Sequence, residues 1–235
     1  MKRWPLYFKN TCPQNRGRPV VTKIHEEEVR IPIDSGYLEG TLSLRNKAQA
    51  IVIFAHGSGS SRFSKRNKYV AEVLSGAGVD TLLFDLLTKE EDMVYENRFD
   101  IKLLKDRLKA ATKWVRENPA IKKFRIGYFG ASTGAPAALW AAAELGKDIG
   151  AVVSRGGRPD LAKPYLSRVK APTLLIVGSL DDVVIPLNRM AYELLGGEKE
   201  LAIIPGASHL FEEPGKLDEV ARLAADWFRK HLQPA

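Results

Sequence analysis

Gly130-Ala131-Ser132-Thr133-Gly134 joins an apolar run, Ile126-Gly127-Tyr128-Phe129, to an alanine-rich segment that begins at Ala135. Read locally, this is a strand that enters a tight turn and leaves as a helix. Small residues two before and two after the serine allow a cramped turn that lifts the hydroxyl clear of a sheet. Ser132 is therefore the candidate nucleophile. The pentapeptide alone decides little, since three fixed positions recur by chance in roughly one such chain in ten.

The flanking segments give it weight. Ala50–Ala55, Thr81–Phe84, Ala151–Val153, Thr173–Val177 and Leu201–Ile204 are short apolar runs of the kind seen in strands covered on both faces. Between them lie helical segments at about 65–75, 101–116, 135–145 and 187–195, and Pro214 opens a last one. In the second of these, Asp100 is placed to cap, and Ile101, Leu104, Leu108, Ala111 and Val115 form the apolar stripe. Lys102, Lys105, Lys109, Lys113 and Arg116 read as its solvated face. Ile24–Ile33 and Tyr37–Leu44 alternate around Asp34-Ser35-Gly36 and predict a hairpin. Leu86–Phe99 has no steady period and reads as a loop or broken helix that could wall a site.

Strands alternating with helices predict an α/β fold with a doubly wound, mostly parallel sheet and an antiparallel hairpin at its amino-terminal edge. Functional residues in such sheets collect at the carboxyl ends of the strands. Ser154–Pro172 is too short for a separate cap domain. The expected organisation is a basic leader over residues 1–23 and one domain over 24–235.

The net charge of +8 raises the question of nucleic acid or an anionic surface, but six of the excess charges lie in the acid-free stretch from Met1 to Lys23. The remainder is near neutral and its basic positions lack interleaved aromatics, so no nucleic-acid partner is expected. No apolar run approaches the roughly 18 residues of a membrane span. The single cysteine, Cys12, excludes an internal disulfide and predicts a cytoplasmic setting.

A serine hydroxyl needs a base to take its proton, and the base needs a third group to hold its tautomer. Asp181 and His209 each stand in a loop directly after a predicted strand, in the order serine, acid, histidine. His25 lies in the hairpin, His56 in a glycine-rich loop before the serine and His231 near the carboxyl terminus, so His209 is the candidate base. Of the adjacent acids, Asp181 and Asp182, the first follows the turn Gly178-Ser179-Leu180 directly and is the expected partner. Two backbone N–H groups must also meet the developing oxyanion. Thr133 is expected to supply one and Ser58, in His56-Gly57-Ser58-Gly59, the other. Arg155 and Arg158 are placed at the substrate rim. No metal-binding spacing and no phosphate-loop ending is present, so neither metal nor cofactor is expected.

From about Ile31 to Leu232 the chain resembles the α/β-hydrolase superfamily. The phrases Ala55-His56-Gly57-Ser58-Gly59-Ser60-Ser61-Arg62, Gly130-Ala131-Ser132-Thr133-Gly134, Ser154-Arg155-Gly156-Gly157-Arg158-Pro159-Asp160 and Pro205-Gly206-Ala207-Ser208-His209-Leu210-Phe211 resemble its dienelactone hydrolase-like branch. The resemblance implies Ser132 as nucleophile, Asp181 as acid and His209 as base. Dienelactone hydrolases carry cysteine at the elbow where this chain has serine, so the expectation is a serine carboxylesterase acting on a small-molecule ester substrate. The lack of room for a cap over Ser154–Pro172 predicts an open pocket that prefers short acyl groups. A lactone or thioester hydrolase is the alternative within the fold, and a non-catalytic ligand-binding member the alternative outside enzymes. Relatives of this branch also occur fused to a phosphoribosyltransferase-like domain, which a chain of this length does not accommodate.

Overall fold

The computed structural model describes residues 24–45 and 48–232, so the basic leader lies outside the described residues. The alternating segments pair antiparallel as β1 (Ile24–Ile33) and β2 (Gly36–Arg45), joined by the turn at Asp34-Ser35. The continuous apolar runs become β3 (Ala50–Ala55), β4 (Asp80–Phe84) and β7 (Thr173–Gly178), every residue of which is buried. Buried strands of this kind need cover on both faces.

That cover comes from helices on the two sides of one eight-stranded sheet, which also holds β5 (Arg125–Ala131), β6 (Ile149–Arg155) and β8 (Lys199–Ile204). On one face α1 (Lys65–Gly76) and α6 (Lys216–Leu232) bury Val70, Leu74, Val220, Ala224 and Phe228 against Val52, Phe129 and Val153. On the other, α3 (Ile101–Glu117), α4 (Gly134–Leu145) and α5 (Val184–Leu194) pack on Ile51, Ile53, Tyr128 and Val152, while α2 (Lys89–Asp92) is a single turn in the connection before α3. No helix among the described residues is long and apolar enough to cross a membrane.

The strand order β1-β2-β4-β3-β5-β6-β7-β8 has an antiparallel edge, β1-β2-β4, and is parallel from β4 to β8. Register then decides which loops meet. Ala55 pairs with Gly130, Ala131 with Arg155, Arg155 with Ile176, and Gly178 with Ile204. The loops after β3, β5, β6, β7 and β8 therefore leave the sheet side by side. No cap domain is inserted among the described residues.

Local signals account for most boundaries. The Asp100 carboxylate accepts the Leu103 N–H at 3.0 Å and starts α3. The last helix begins at Lys216, two residues after Pro214, because Gly215 sits at φ 77°. The basic face of α3 is not uniformly solvated. Lys105 is only 5% exposed and its ammonium lies between Asp106 and Glu144, which also receives Lys109.

Candidate active site

Ser132 sits at φ 49°, in the left-handed region that a side chain adopts at a cost. Its N–H donates to the Arg155 carbonyl at 3.1 Å, and its own carbonyl accepts the Ala135 N–H at 3.2 Å. The flanking glycines are required by contact: a Cβ on Gly130 would lie 2.5 Å from Ala135 Cα, and one on Gly134 2.1 Å from the Ala55 carbonyl oxygen. Gly134→Ala is accordingly expected to cost about 3 kcal/mol or more, because both clashing partners are backbone. Gly59→Ala, at φ 65° in open space, should cost about 1 kcal/mol. Thermal denaturation of the two variants checks the contrast, and equal melting temperatures would remove the packing argument.

The β3 loop is bonded to the β4 loop and the hairpin, and meets the elbow by packing: a Cβ added to Gly57 would lie 3.0 Å from Ser132 Cβ. His56 Nε2 accepts the Leu86 N–H at 3.0 Å, so the ring proton is on Nδ1, which donates to the Gly57 carbonyl at 2.9 Å. Burial pushes the His56 pKa down and keeps the ring neutral. Arg62 ties the loop to the hairpin through Glu28 and Glu39, and its backbone N–H and guanidinium both reach Asp85 at 2.7 Å. The backbone N–H groups of Ser58 and Thr133 have no acceptor among the described residues. Both residues line a narrow cleft with His56, Leu86, Leu87, Asp92, Arg98 and Leu104. The segment expected as a wall is one: α2 carries a Thr88–Glu91 capping box, Tyr95–Phe99 forms a 3-10 helix, and Arg98 pairs with Asp92 at 2.7 Å.

Asp181 and His209 come together across the β7 and β8 loops. Nδ1 of His209 lies 2.6 Å from Asp181 Oδ2, with the carboxylate 11% and the imidazole 38% exposed. Asp182 is exposed to solvent. The loops are laced by the Leu180 N–H on the Ala207 carbonyl and the Gly206 N–H on Ser179 Oγ, both under 3 Å. A Cβ on Gly178 would sit 2.2 Å from the Ala207 carbonyl oxygen, so only glycine permits this approach. Glu213 takes the Ser208 N–H on both carboxylate oxygens at 3.1 Å, and Phe211, at φ 57°, is buried beneath the loop. Hydrogen bonding from Ser208 holds the Glu213 carboxyl below the usual carboxylate range. The His209 ring packs on Gly156, the residue after the carbonyl that holds Ser132. Neither Ser132 Oγ nor His209 Nε2 hydrogen-bonds to another group among the described residues.

The two arginines expected at the rim separate. Arg158 is there, 41% exposed, and its guanidinium is taken by Asp160 at 2.8 and 2.9 Å. Arg155 is not: it is 7% exposed, because β6 runs to Arg155 rather than ending at Val153 and turns this side chain toward α1. Burial pushes its pKa down to about 10. Among the described residues no group of three or more His, Cys, Asp or Glu could hold a metal ion. Sequence reasoning missed Glu213, the strut role of His56 and the Arg62 cluster. Only the proximity of Glu213 to His209 offered a signal.

Residues 36–233 match the model of the dienelactone hydrolase family. A dienelactone hydrolase from Anabaena variabilis, known from its crystal structure, is 55% identical, with 89% of this chain and 99% of that one covered and a TM-score of 0.87. Two Mycobacterium tuberculosis proteins, each named "Putative phosphoribosyl transferase", are 55% identical over 209 residues. The match takes in 89% of this chain but 47% of theirs, so the chain spans about half the length of these relatives. Est1E from Butyrivibrio proteoclasticus shares the fold at 15% identity and a TM-score of 0.75, over 86% of this chain and 98% of its own.

Proposed function

Because the chain belongs to the dienelactone hydrolase family, we propose that it is a serine hydrolase that cleaves carboxylic esters through an acyl-enzyme on Ser132. The observation that carries this reading is the Asp181–His209 pair at 2.6 Å, brought into the same group of loops as a serine held at φ 49°. Ser132 Oγ attacks the ester carbonyl while His209 Nε2 takes its proton, and Asp181 stabilises the imidazolium that results. The carbonyl oxygen, now an oxyanion, accepts from the Ser58 and Thr133 N–H groups, each such donor contributing roughly 3 to 4 kcal/mol. Collapse expels the alkoxide, which leaves as the alcohol with the proton from His209. Water, deprotonated by the same nitrogen, then attacks the acyl-enzyme and releases the acid and the serine.

The cleft beside the oxyanion donors is narrow and walled by Leu86, Leu87 and Leu104. The short Ser154–Pro172 segment leaves no room for a separate cap that would enclose a long chain, and the two together support a preference for short acyl groups. The expected result for a p-nitrophenyl ester series is a kcat/KM on acetate or butyrate at least tenfold above that on octanoate or longer. A fluorophosphonate probe should label the protein at one serine. Absence of both labelling and turnover would sink the hydrolase reading, and faster cleavage of lactones or thioesters than of esters would move it to that alternative. On this reading the chemistry named for the longer relatives belongs to the half that this chain does not match. The single cysteine, Cys12, fits a reducing compartment, and we place the protein in the cytoplasm.

A further inference from the structure

The His209 side chain has one hydrogen bond among the described residues, Nδ1 to Asp181 Oδ2 at 2.6 Å, and its imidazole is 38% exposed. The place of the ring is therefore set chiefly by the backbone on either side of it. That backbone is strained: Phe211 stands at φ 57°, which is costly for a bulky side chain, with its ring buried. An arch of this kind relaxes unless its ends are held. The peptide that enters it, between Ala207 and Ser208, is a rigid plane gripped at both ends. Its carbonyl accepts the N–H of Leu180, the residue before Asp181, at 2.9 Å. Its N–H donates to both Glu213 carboxylate oxygens at 3.1 Å. Glu213 is anchored in turn, because its own carbonyl accepts the Lys216 N–H at 3.0 Å where α6 begins, and α6 buries Val220, Ala224 and Phe228 on the sheet. One peptide thus links the acid loop to a packed helix, directly before the candidate base.

We propose that Glu213 is a positioning residue for His209: by holding the Ser208 N–H it fixes the entry to the arch and keeps the imidazole against Asp181. As a statement about turnover this rests on the esterase reading; as a statement about the His209–Asp181 contact it does not.

Two substitutions in the full chain separate contact from charge. Glu213→Gln keeps an acceptor oxygen within reach of the Ser208 N–H and removes the charge, whereas Glu213→Asp keeps the charge and withdraws it by one methylene. Steady-state kinetics on p-nitrophenyl butyrate are read per serine titrated with a fluorophosphonate, which discounts any loss of folded protein. Glu213→Asp should lower kcat by about tenfold or more with KM little changed, and Glu213→Gln should restore at least about a third of the parent rate. The readout without turnover is the proton on His209 Nδ1, whose short bond to a carboxylate moves its NMR resonance far downfield. That resonance should persist in Glu213→Gln and be lost to solvent exchange in Glu213→Asp. Glu212→Gln, at the exposed neighbour that pairs with Arg66, should change neither rate nor resonance. Equal behaviour of the two Glu213 variants, the reverse order, or a comparable loss in Glu212→Gln overturns the proposal. The expected pattern of resonances with no ester cleaved by any form keeps the role of Glu213 toward His209 and overturns the esterase reading instead.

Discussion

Ser132→Ala is expected to lower kcat on a short ester by about a millionfold and to abolish fluorophosphonate labelling, while the melting temperature stays within a few degrees. The magnitude follows from what removal of the nucleophile costs in serine hydrolases, where the residual rate comes from the oxyanion donors and binding alone. The fold is expected to survive because the serine hydroxyl holds no hydrogen bond among the described residues, whereas its backbone N–H and carbonyl, which the substitution leaves in place, hold the elbow. Ser132→Gly separates chemistry from strain. Glycine carries no penalty at φ 49°, so this variant should be equally inactive with a melting temperature that holds or rises. Single-turnover kinetics and thermal denaturation of both variants are the measurements. Retention of more than a hundredth of the activity in either would remove Ser132 from the mechanism.

The features that the sequence exposes here are those written in short range. A continuous apolar run such as Thr173–Val177 can only be a covered strand, and glycines spaced around a serine describe a turn without reference to the rest of the chain. The order of Ser132, Asp181 and His209 was legible because each follows such a run. Register, which places these loops side by side, follows once the strand order is known. What was not legible depends on partners distant in the chain. Lys105 is four residues after Ile101 and three before Leu108, so it lies toward the buried side of α3. The acid that makes this tolerable, Glu144, comes from a different helix. Arg155 was misplaced by two residues of strand: with β6 ending at Val153 it belongs to a loop, and with β6 ending at Arg155 it follows Ala151 and Val153 to the α1 face. His56 was set aside as a base on its position, and its bond to the Leu86 N–H could not be read because it required knowing that the β3 and β4 loops adjoin.

Two adjacent carboxylates provide the sharpest internal comparison, since Asp181→Asn and Asp182→Asn change the same formal charge one residue apart. Asp181 is largely buried and meets His209 Nδ1 at 2.6 Å, while Asp182 points to solvent. An asparagine at 181 can still accept from Nδ1, or can turn its amide to donate and so favour the tautomer with the proton on Nε2. In the second case the nitrogen that should take the serine proton already carries one, and in both the imidazolium loses its counter-charge. The loss of such a group in a serine triad costs on the order of 10⁴ in turnover with geometry intact. The Asp181 main chain is independent of this change: its carbonyl caps the start of α5 by accepting the Val184 and Ile185 N–H groups, and its N–H donates to the Gly178 carbonyl. Asp181→Asn should therefore keep its melting temperature and lower kcat by about four orders of magnitude, with KM little changed. Asp182→Asn should alter kcat by less than about tenfold, because screening by water leaves an exposed charge little influence on the ring. Steady-state kinetics of the two variants on one ester decide the matter. Equal effects would mean that net charge rather than a specific contact supports the base, and reversed effects would assign the acid to Asp182.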